Sequence, residues 1–211
     1  MATERTIKVL ELFAGSRSFS KAAESKGLTT FSTDWKGFEN IDLVCDILEL
    51  DPNEVPFIPD VIWASPPCTF FSVASIGKHW NKDNTPKTKE AEYGVRIAKA
   101  TKSIIEYFLS KNPNLKFYIE NPRGKLRKLS IYDQFIRHTV TYCQYGDNRM
   151  KPTDIWTNDD RWVSKPMCKN GDSCHISAPR GSSTGTQGLK GNYLRSVVPE
   201  NLCIEIIELN Q

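Results

Sequence analysis

Two absences bound this chain before anything it contains is weighed. None of its 211 residues belongs to an apolar run near the roughly 20 residues that a membrane-crossing helix needs. No basic segment leading into a short apolar stretch opens it, as a secretory leader would. Together these predict a soluble, intracellular protein, cytoplasmic in location. Strong charge is lacking too. Lys and Arg number 28 against 25 Asp and Glu, a net charge of +3, which permits nucleic-acid binding without indicating it. No internal repeat is visible, which excludes a repeat array. At this length the simplest organisation is one domain with a proper core, with room for a small appendage. Without a leader, the six cysteines (Cys45, Cys68, Cys143, Cys168, Cys174 and Cys203) are expected to be thiols, a nucleophile or metal ligands rather than disulfides.

What is present is most telling at Ser65-Pro66-Pro67-Cys68, directly behind the apolar run Asp60-Val61-Ile62-Trp63-Ala64. Two prolines fix φ and remove two donors, so the strand cannot run on as sheet or pass straight into helix. Cys68 is therefore held on a stiff turn at the carboxyl edge of a strand, where open α/β sheets bind ligands. A thiol there is a candidate nucleophile.

The remaining patterning predicts alternation of strands and helices. Ile7 to Phe13 reads as a strand ended by Ala14-Gly15-Ser16, and Ser18 to Ser25 as a helix closed by Gly27. Leu28–Asp34, Ile41–Asp46 and Val61–Ala64 read as further strands. Residues 89–110 carry the longest helical stripe, formed by Val95, Ala98, Ile104, Ile105, Phe108 and Leu109. Lys116–Glu120 reads as another strand, ended by Asn121-Pro122-Arg123-Gly124. Such alternation predicts an α/β fold with a doubly wound, mostly parallel sheet. From about residue 158 the chain turns rich in Gly, Ser, Lys and Cys. Apolar patterning returns near Val197, which predicts a C-terminal helix. The expected organisation is a core over 1–157, a small irregular insertion over 158–192, and a helix within 193–211 that returns to the core.

Single residues leave their roles open. Phe13-Ala14-Gly15 allows a backbone to approach a ligand closely, yet equally suits an ordinary tight turn. Asp34 stands where nucleotide-binding α/β folds place an acid for ribose hydroxyls. Trp35 beside it suits either an adenine or a half-exposed surface position. Asp46, taken alone, is a turn or cap residue.

Taken in order, the segments Glu-Leu-Phe-Ala-Gly, Thr-Asp-Trp, Cys-Asp-Ile, Ser-Pro-Pro-Cys-Thr-Phe-Phe-Ser and Tyr-Ile-Glu-Asn-Pro resemble the ordered motifs of the cytosine-5 DNA methyltransferases. The resemblance spans residues 7 to about 124. It resumes weakly from Tyr145-Gly146 to Trp156 and from Ser196 to Leu202. It implies a Rossmann-like S-adenosylmethionine-dependent methyltransferase fold and a DNA substrate, with restriction–modification as a context. Cys68 would attack carbon-6 of cytosine, making carbon-5 nucleophilic enough to take a methyl group. Glu120 would serve ring nitrogen 3, a task that needs a carboxyl pKa raised by burial. Asn121 and Pro122 would fix the turn that aims Glu120, and Pro67 would lie near the methyl donor. The cofactor site implied by the resemblance comprises Phe13, Ala14, Gly15, Asp34, Trp35, Asp46, Ile47 and Pro67, with Ser196 and Val198 from the late motif. Residues 73–89, with Lys78, His79, Trp80, Lys82, Lys87 and Lys89, match the family's loop that closes over DNA.

Departures from the family pattern are specific. Ser16-Arg17-Ser18 replaces the usual glycine pair. In the late Gln-x-Arg-x-Arg element, Lys151 stands at the first arginine position and Thr153 at the second, and lysine is not an equivalent fork donor. Ser196 stands for the usual asparagine. The space that holds a recognition domain in larger members is here only residues 158–192. It contains Cys168-x5-Cys174-His175, which suggests three zinc ligands with Cys143 or a more distant residue as the fourth; free surface thiols are the alternative. Two other functional readings stay open: the same fold and cofactor acting on RNA or a nucleotide, and a nucleic-acid-binding relative without activity.

Overall fold

The short β-branched and aromatic runs of the first half pair as parallel strands, and a computed structural model describes residues 5–177, 189 and 192–211. Seven strands form one sheet: β1 (Lys8–Leu12), β2 (Thr29–Asp34), β3 (Leu43–Val44), β4 (Val61–Ala64), β5 (Lys116–Pro122), β6 (Ile136–Thr141) and β7 (Pro152–Thr157). Their order is β3-β2-β1-β4-β5-β7-β6. The five strands from β3 to β5 are mutually parallel, while β7 runs antiparallel to both β5 and β6. Among the described residues the helices are α1 (Ser18–Ser25), α2 (Ile76–His79), α3 (Lys89–Lys111), α4 (Asn192–Ser196) and α5 (Glu200–Leu209). The doubly wound, mostly parallel sheet expected from the alternation is therefore present.

Strand order reverses between β1 and β4, and in such sheets that point opens a crevice outside the carboxyl ends of the strands. Leu12 pairs with Ala64 across it. The Phe13–Arg17 loop and the Ser65–Cys68 turn both leave from this line.

Side-chain alternation splits the core into two layers. Leu10, Leu12, Ile62, Ala64, Phe117 and Ile119 pack with α3 on one face. Val9, Val61, Trp63 and Tyr118 pack with α1 and α5 on the other. A sheet covered on both faces reads as near-continuous apolar strands, which is why β1 and β4 were plain in the sequence. Helix α3 begins at Thr88, whose hydroxyl accepts from the Ala91 amide, and has Glu90 and Glu92 in its first turn. Both features favour a helix N-terminus. Its buried stripe includes Ala98, Ile104, Ile105 and Phe108, with Val95 and Leu109 only partly covered at its margins.

Four boundaries differ from expectation. The third strand shrinks to Leu43–Val44, because the Asp42 carboxylate captures the Ser32 amide and hydroxyl and the Asp46 carboxylate turns back onto the Leu48 amide. The fifth strand runs on through Asn121 and Pro122, which pair with Asp154 and Thr153, so these two residues are strand and not a turn. Strands β6 and β7 had no expected counterpart. Asp154 sits fully buried inside β7, held by the Arg127 guanidinium and the Thr139 hydroxyl, and this polar interior masks the strand pattern. Packing with the sheet also continues past residue 157: Asp159 and Trp162 are buried, and Asp159 accepts from the Tyr118 hydroxyl. Parts of the 158–192 segment, Arg180 among them, lie outside the described residues.

No helix among the described residues is long and apolar enough to cross a membrane.

Candidate active site and metal cluster

Cys68 follows β4 on the Ser65-Pro66-Pro67 turn. The Trp63 indole donates to the Ser65 hydroxyl, and the Ser65 amide donates to the Leu12 carbonyl, so both ends of the turn are tied to the sheet. Asn121, on the neighbouring β5, donates its side-chain amide to the Pro66 carbonyl at 2.8 Å. The residue after the expected acid thus braces the turn that carries the thiol.

Glu120 precedes Asn121 on β5 and is 4% exposed. Its Oε1 accepts from the Tyr142 hydroxyl at 2.8 Å and lies 3.6 Å from the Lys151 ammonium. Lys151 also donates to the Tyr142 hydroxyl at 3.4 Å and to the Arg195 carbonyl at 3.2 Å, and sits 4.4 Å from the centre of the Tyr142 ring. Burial beside Glu120 pushes the Tyr142 phenol well above its ordinary value, which keeps it a donor. Burial pushes the Cys68 thiol up as well; the Lys151 ammonium draws it down and the Glu120 carboxylate adds to the rise. Carboxyl, phenol and ammonium are thus in mutual contact, and the thiol feels the charges of both Glu120 and Lys151.

Two features of this site were not read from the sequence. Tyr142 arrives from the 3-10 turn Tyr142–Tyr145 behind β6, and only the antiparallel β5–β7–β6 pairing brings it to Glu120. Arg149 is buried, bonded to Asp147, and donates to the carbonyls of Leu194, Arg195 and Val197. Arg149 and Lys151 both lie over the Tyr142 ring, at 5.5 and 4.4 Å from its centre. The two cations thus stand at 149 and 151, whereas the Thr153 hydroxyl donates to the Lys151 carbonyl.

The residues expected around the cofactor divide. Phe13, Gly15 and Arg17 all adopt positive φ, a conformation costly for Phe13 and Arg17 and natural to glycine. The Ala14 amide donates to the Thr33 carbonyl and the Gly15 amide to Asp34 Oδ2 at 3.0 Å, which folds the loop against the end of β2. Asp34 Oδ1 accepts from the Lys36 amide; burial raises its carboxyl, and both amide donors work against that. Trp35 is 62% exposed beside it. A cleft of about 330 Å³ opens here, lined by Gly15, Ser16, Phe38, Asn40 and Tyr193 among others. Asp46 accepts from the Tyr93 hydroxyl, and Ile47 packs into the core. The Val198 amide donates to the Ser18 hydroxyl, while Ser196 is exposed and donates to the Tyr193 carbonyl.

Trp80 is corrected. It is 4% exposed, donates to the Phe70 carbonyl and packs on Phe71, so it is a core residue and not free to stack beside a base. His79 is likewise buried against Thr88. Lys78, Lys82, Lys87 and Lys89 remain exposed.

A second cluster lies behind the same 3-10 turn. Donor atoms of Cys143, Cys168, Cys174 and His175 all fall within 4.8 Å of one another. All six cysteines are free thiols.

No family model matches the chain. A relative from frog virus 3, named as a probable DNA (cytosine-5)-methyltransferase, is 29% identical over 226 residues, covering 96% of this chain and all of the relative. A solved methyltransferase of Entamoeba histolytica superposes with a TM-score of 0.50 at 13% identity, over 73% of this chain and 53% of that one. A substituted form of DNMT2 from Spodoptera frugiperda gives a TM-score of 0.47 at 19% identity, over 76% of this chain and 55% of its own. The chain spans about half the length of those solved structures. Sheet order, crevice and full-length relative define the class: the chain is a methyltransferase. Along its whole length it is similar to the frog virus 3 relative named as a probable DNA (cytosine-5)-methyltransferase.

Proposed function

We propose that the protein transfers a methyl group from S-adenosylmethionine to carbon-5 of cytosine in DNA, through a covalent adduct on Cys68. The observation that carries this reading is that Cys68 and Glu120 leave from the carboxyl edge of the paired strands β4 and β5, with the Asn121 side chain bonded to the Pro66 carbonyl beside the thiol and Tyr142 and Lys151 engaged on Glu120. Cys68 Sγ bonds to carbon-6 of the ring and the displaced electron pair is drawn toward nitrogen 3, leaving carbon-5 nucleophilic. Tyr142 and Lys151 both engage Oε1 of Glu120, so Oε2 is the oxygen proposed to hold the proton facing nitrogen 3. Once carbon-5 is substituted, its proton passes to solvent, the freed electron pair re-forms the carbon-5–carbon-6 double bond, and Cys68 Sγ departs as a thiolate that solvent reprotonates. Asn121 holds the Pro66 carbonyl, and with it Pro67 and the thiol, throughout.

The Phe13–Gly15 loop, Asp34 and Trp35 suit S-adenosylmethionine. A glycine at positive φ keeps the backbone open beside Asp34, and the adjoining cleft is lined by the rings of Phe38 and Tyr193. Bound there, the cofactor supplies an electrophilic methyl group. Asp34 would hold the ribose and Trp35 would cover the adenine; Asp46, Ile47, Ser196 and Val198 are outer members of the proposed site. Zinc is proposed as the metal of the Cys143, Cys168, Cys174 and His175 cluster. Exposed Lys78, Lys82, Lys87 and Lys89 are proposed to meet DNA phosphates, with base extrusion required if the substrate is duplex. With segment 158–192 as its reduced recognition element, the enzyme is expected to have short or relaxed sequence specificity.

The test incubates the purified chain with methyl-labelled cofactor and DNA of varied sequence. The expected product is 5-methylcytosine, absent with Cys68→Ser although the cofactor still binds. Label appearing only in RNA, or in no substrate while the cofactor binds, overturns the proposal.

A further inference from the structure

The four donors of the cluster come from two distant stretches. Cys143 belongs to the 3-10 turn that begins at Tyr142; Cys168, Cys174 and His175 belong to the polar segment beyond Trp162. Cys143 Sγ lies 3.0 Å from Cys168 Sγ and 3.6 Å from Cys174 Sγ, and His175 Nδ1 lies 3.7 Å from both Cys168 Sγ and Cys174 Sγ. Two sulfurs each about 2.3 Å from a zinc ion sit about 3.8 Å apart in a tetrahedron, and sulfur to nitrogen is slightly less. The 3.6 and 3.7 Å separations match that tetrahedron, with the Cys143–Cys168 pair drawn closer at 3.0 Å, and three sulfurs with one imidazole are the donor set of a closed structural zinc site, which has no position left for water or substrate. A disulfide accounts for two sulfurs only and gives no reason for Cys174 and His175 to converge on them.

Apart from the cluster, the polar segment is fastened to the turn and its flanks by a few bonds. The Cys168 amide donates to the Thr141 hydroxyl, the Lys165 amide to the Tyr145 hydroxyl, and the Ile176 amide to the Asn148 carbonyl. Each lands within residues 141–148, the stretch that carries Tyr142 to Glu120. Backbone bonds of this kind each contribute only about 1 kcal/mol, whereas a structural zinc ion contributes enough to order a short polar segment outright.

We infer that one zinc ion held by Cys143, Cys168, Cys174 and His175 fastens the polar segment to the 141–146 turn and thereby fixes Tyr142 against Glu120. This rests on the zinc assignment proposed for the cluster and not on the identity of the methylated substrate. Tyr142 is in this sense a positioning residue, set from behind by its neighbour Cys143. On loading, each bound thiol gives up its proton to solvent as its sulfur takes the metal.

The experiment begins with elemental analysis of the full chain purified under reducing conditions with zinc present. One zinc per chain is expected, and replacement by cobalt should give the visible absorption of tetrahedral cobalt with thiolate ligands. Cys174→Ser and His175→Ala, at the less buried corners of the cluster, should each lower metal content well below one. Metal-free protein after zinc loading, or a Cys143–Cys168 disulfide under the same conditions, overturns the zinc assignment. Amide hydrogen exchange then tests the fastening. Stripping the metal should speed exchange across residues 141–146 at least tenfold, cobalt should restore protection, and β4 should stay protected in both states. Zinc present at one per chain, with exchange over 141–146 indifferent to its removal, leaves the assignment standing and overturns the fastening.

Discussion

The Tyr142 hydroxyl stands 2.8 Å from Glu120 Oε1, joining residues 22 positions apart in the chain and buried together. Glu120 lies on β5 and Tyr142 just past β6, with β7 between those strands. The bond therefore exists only because β7 inserts antiparallel, and it ties the acid of the proposed mechanism to the far side of the sheet.

Tyr142→Phe removes this donor and leaves the ring under Lys151. A hydrogen bond to the protonated carboxyl contributes about 0.5–1.5 kcal/mol, so kcat should fall roughly two- to tenfold with KM for DNA little changed. Single-turnover kinetics check this. Equal kcat in the two proteins would separate Tyr142 from the chemistry.

The pH profile follows from Cys68. Burial raises its thiol, so at neutral pH the resting group is protonated, and the thiolate fraction grows as pH rises toward the raised value. The rate constant kcat/KM should therefore climb on the alkaline side of pH 7. Lys151 draws the thiol down, so Lys151→Met should move that limb to higher pH, with about tenfold less thiolate at fixed pH for each unit of rise. A limb that stays put or moves to lower pH contradicts this assignment.

Acid stability has a separate origin in Asp159. Burial acts to raise its carboxyl, but the Arg161 guanidinium and the Tyr118 hydroxyl together hold it at about 2, from an ordinary 3.8. A depressed folded value means the stabilisation is complete above about 4 and fades as pH falls toward 2. Urea midpoints of the wild type should drop across that window, and those of Asp159→Asn should drop less while starting lower at pH 7. Parallel loss in both proteins would remove Asp159 as the cause.

Much of this arrangement was legible in the sequence because the relevant signals were local. The apolar runs of β1 and β4, the Pro-Pro turn before Cys68 and the stripe of α3 each state their own structure. The Cys/His cluster was legible for a similar reason, since three of its members fall within eight residues, Cys168 to His175. What escaped reading depends on contacts between distant segments. The two antiparallel strands were hidden by Asp154, tolerable inside β7 only because Arg127 and Thr139 satisfy it. Trp80, set in a basic stretch that suggested a surface, is drawn into the core by Phe71 and the Phe70 carbonyl. Tyr142 carries no local mark at all.

The central claim is a covalent bond from Cys68 to a cytosine ring, activated with the help of Glu120. Duplex DNA bearing 5-fluorocytosine tests it most directly, because fluorine in place of the departing proton prevents release once carbon-5 is methylated. Incubation with S-adenosylmethionine followed by denaturing mass spectrometry should reveal a protein–DNA adduct on the peptide containing Cys68. The adduct should be absent with Cys68→Ser and strongly reduced with Glu120→Gln. Methylation of ordinary cytosine DNA without any trapped adduct, or an adduct on another residue, would contradict the account.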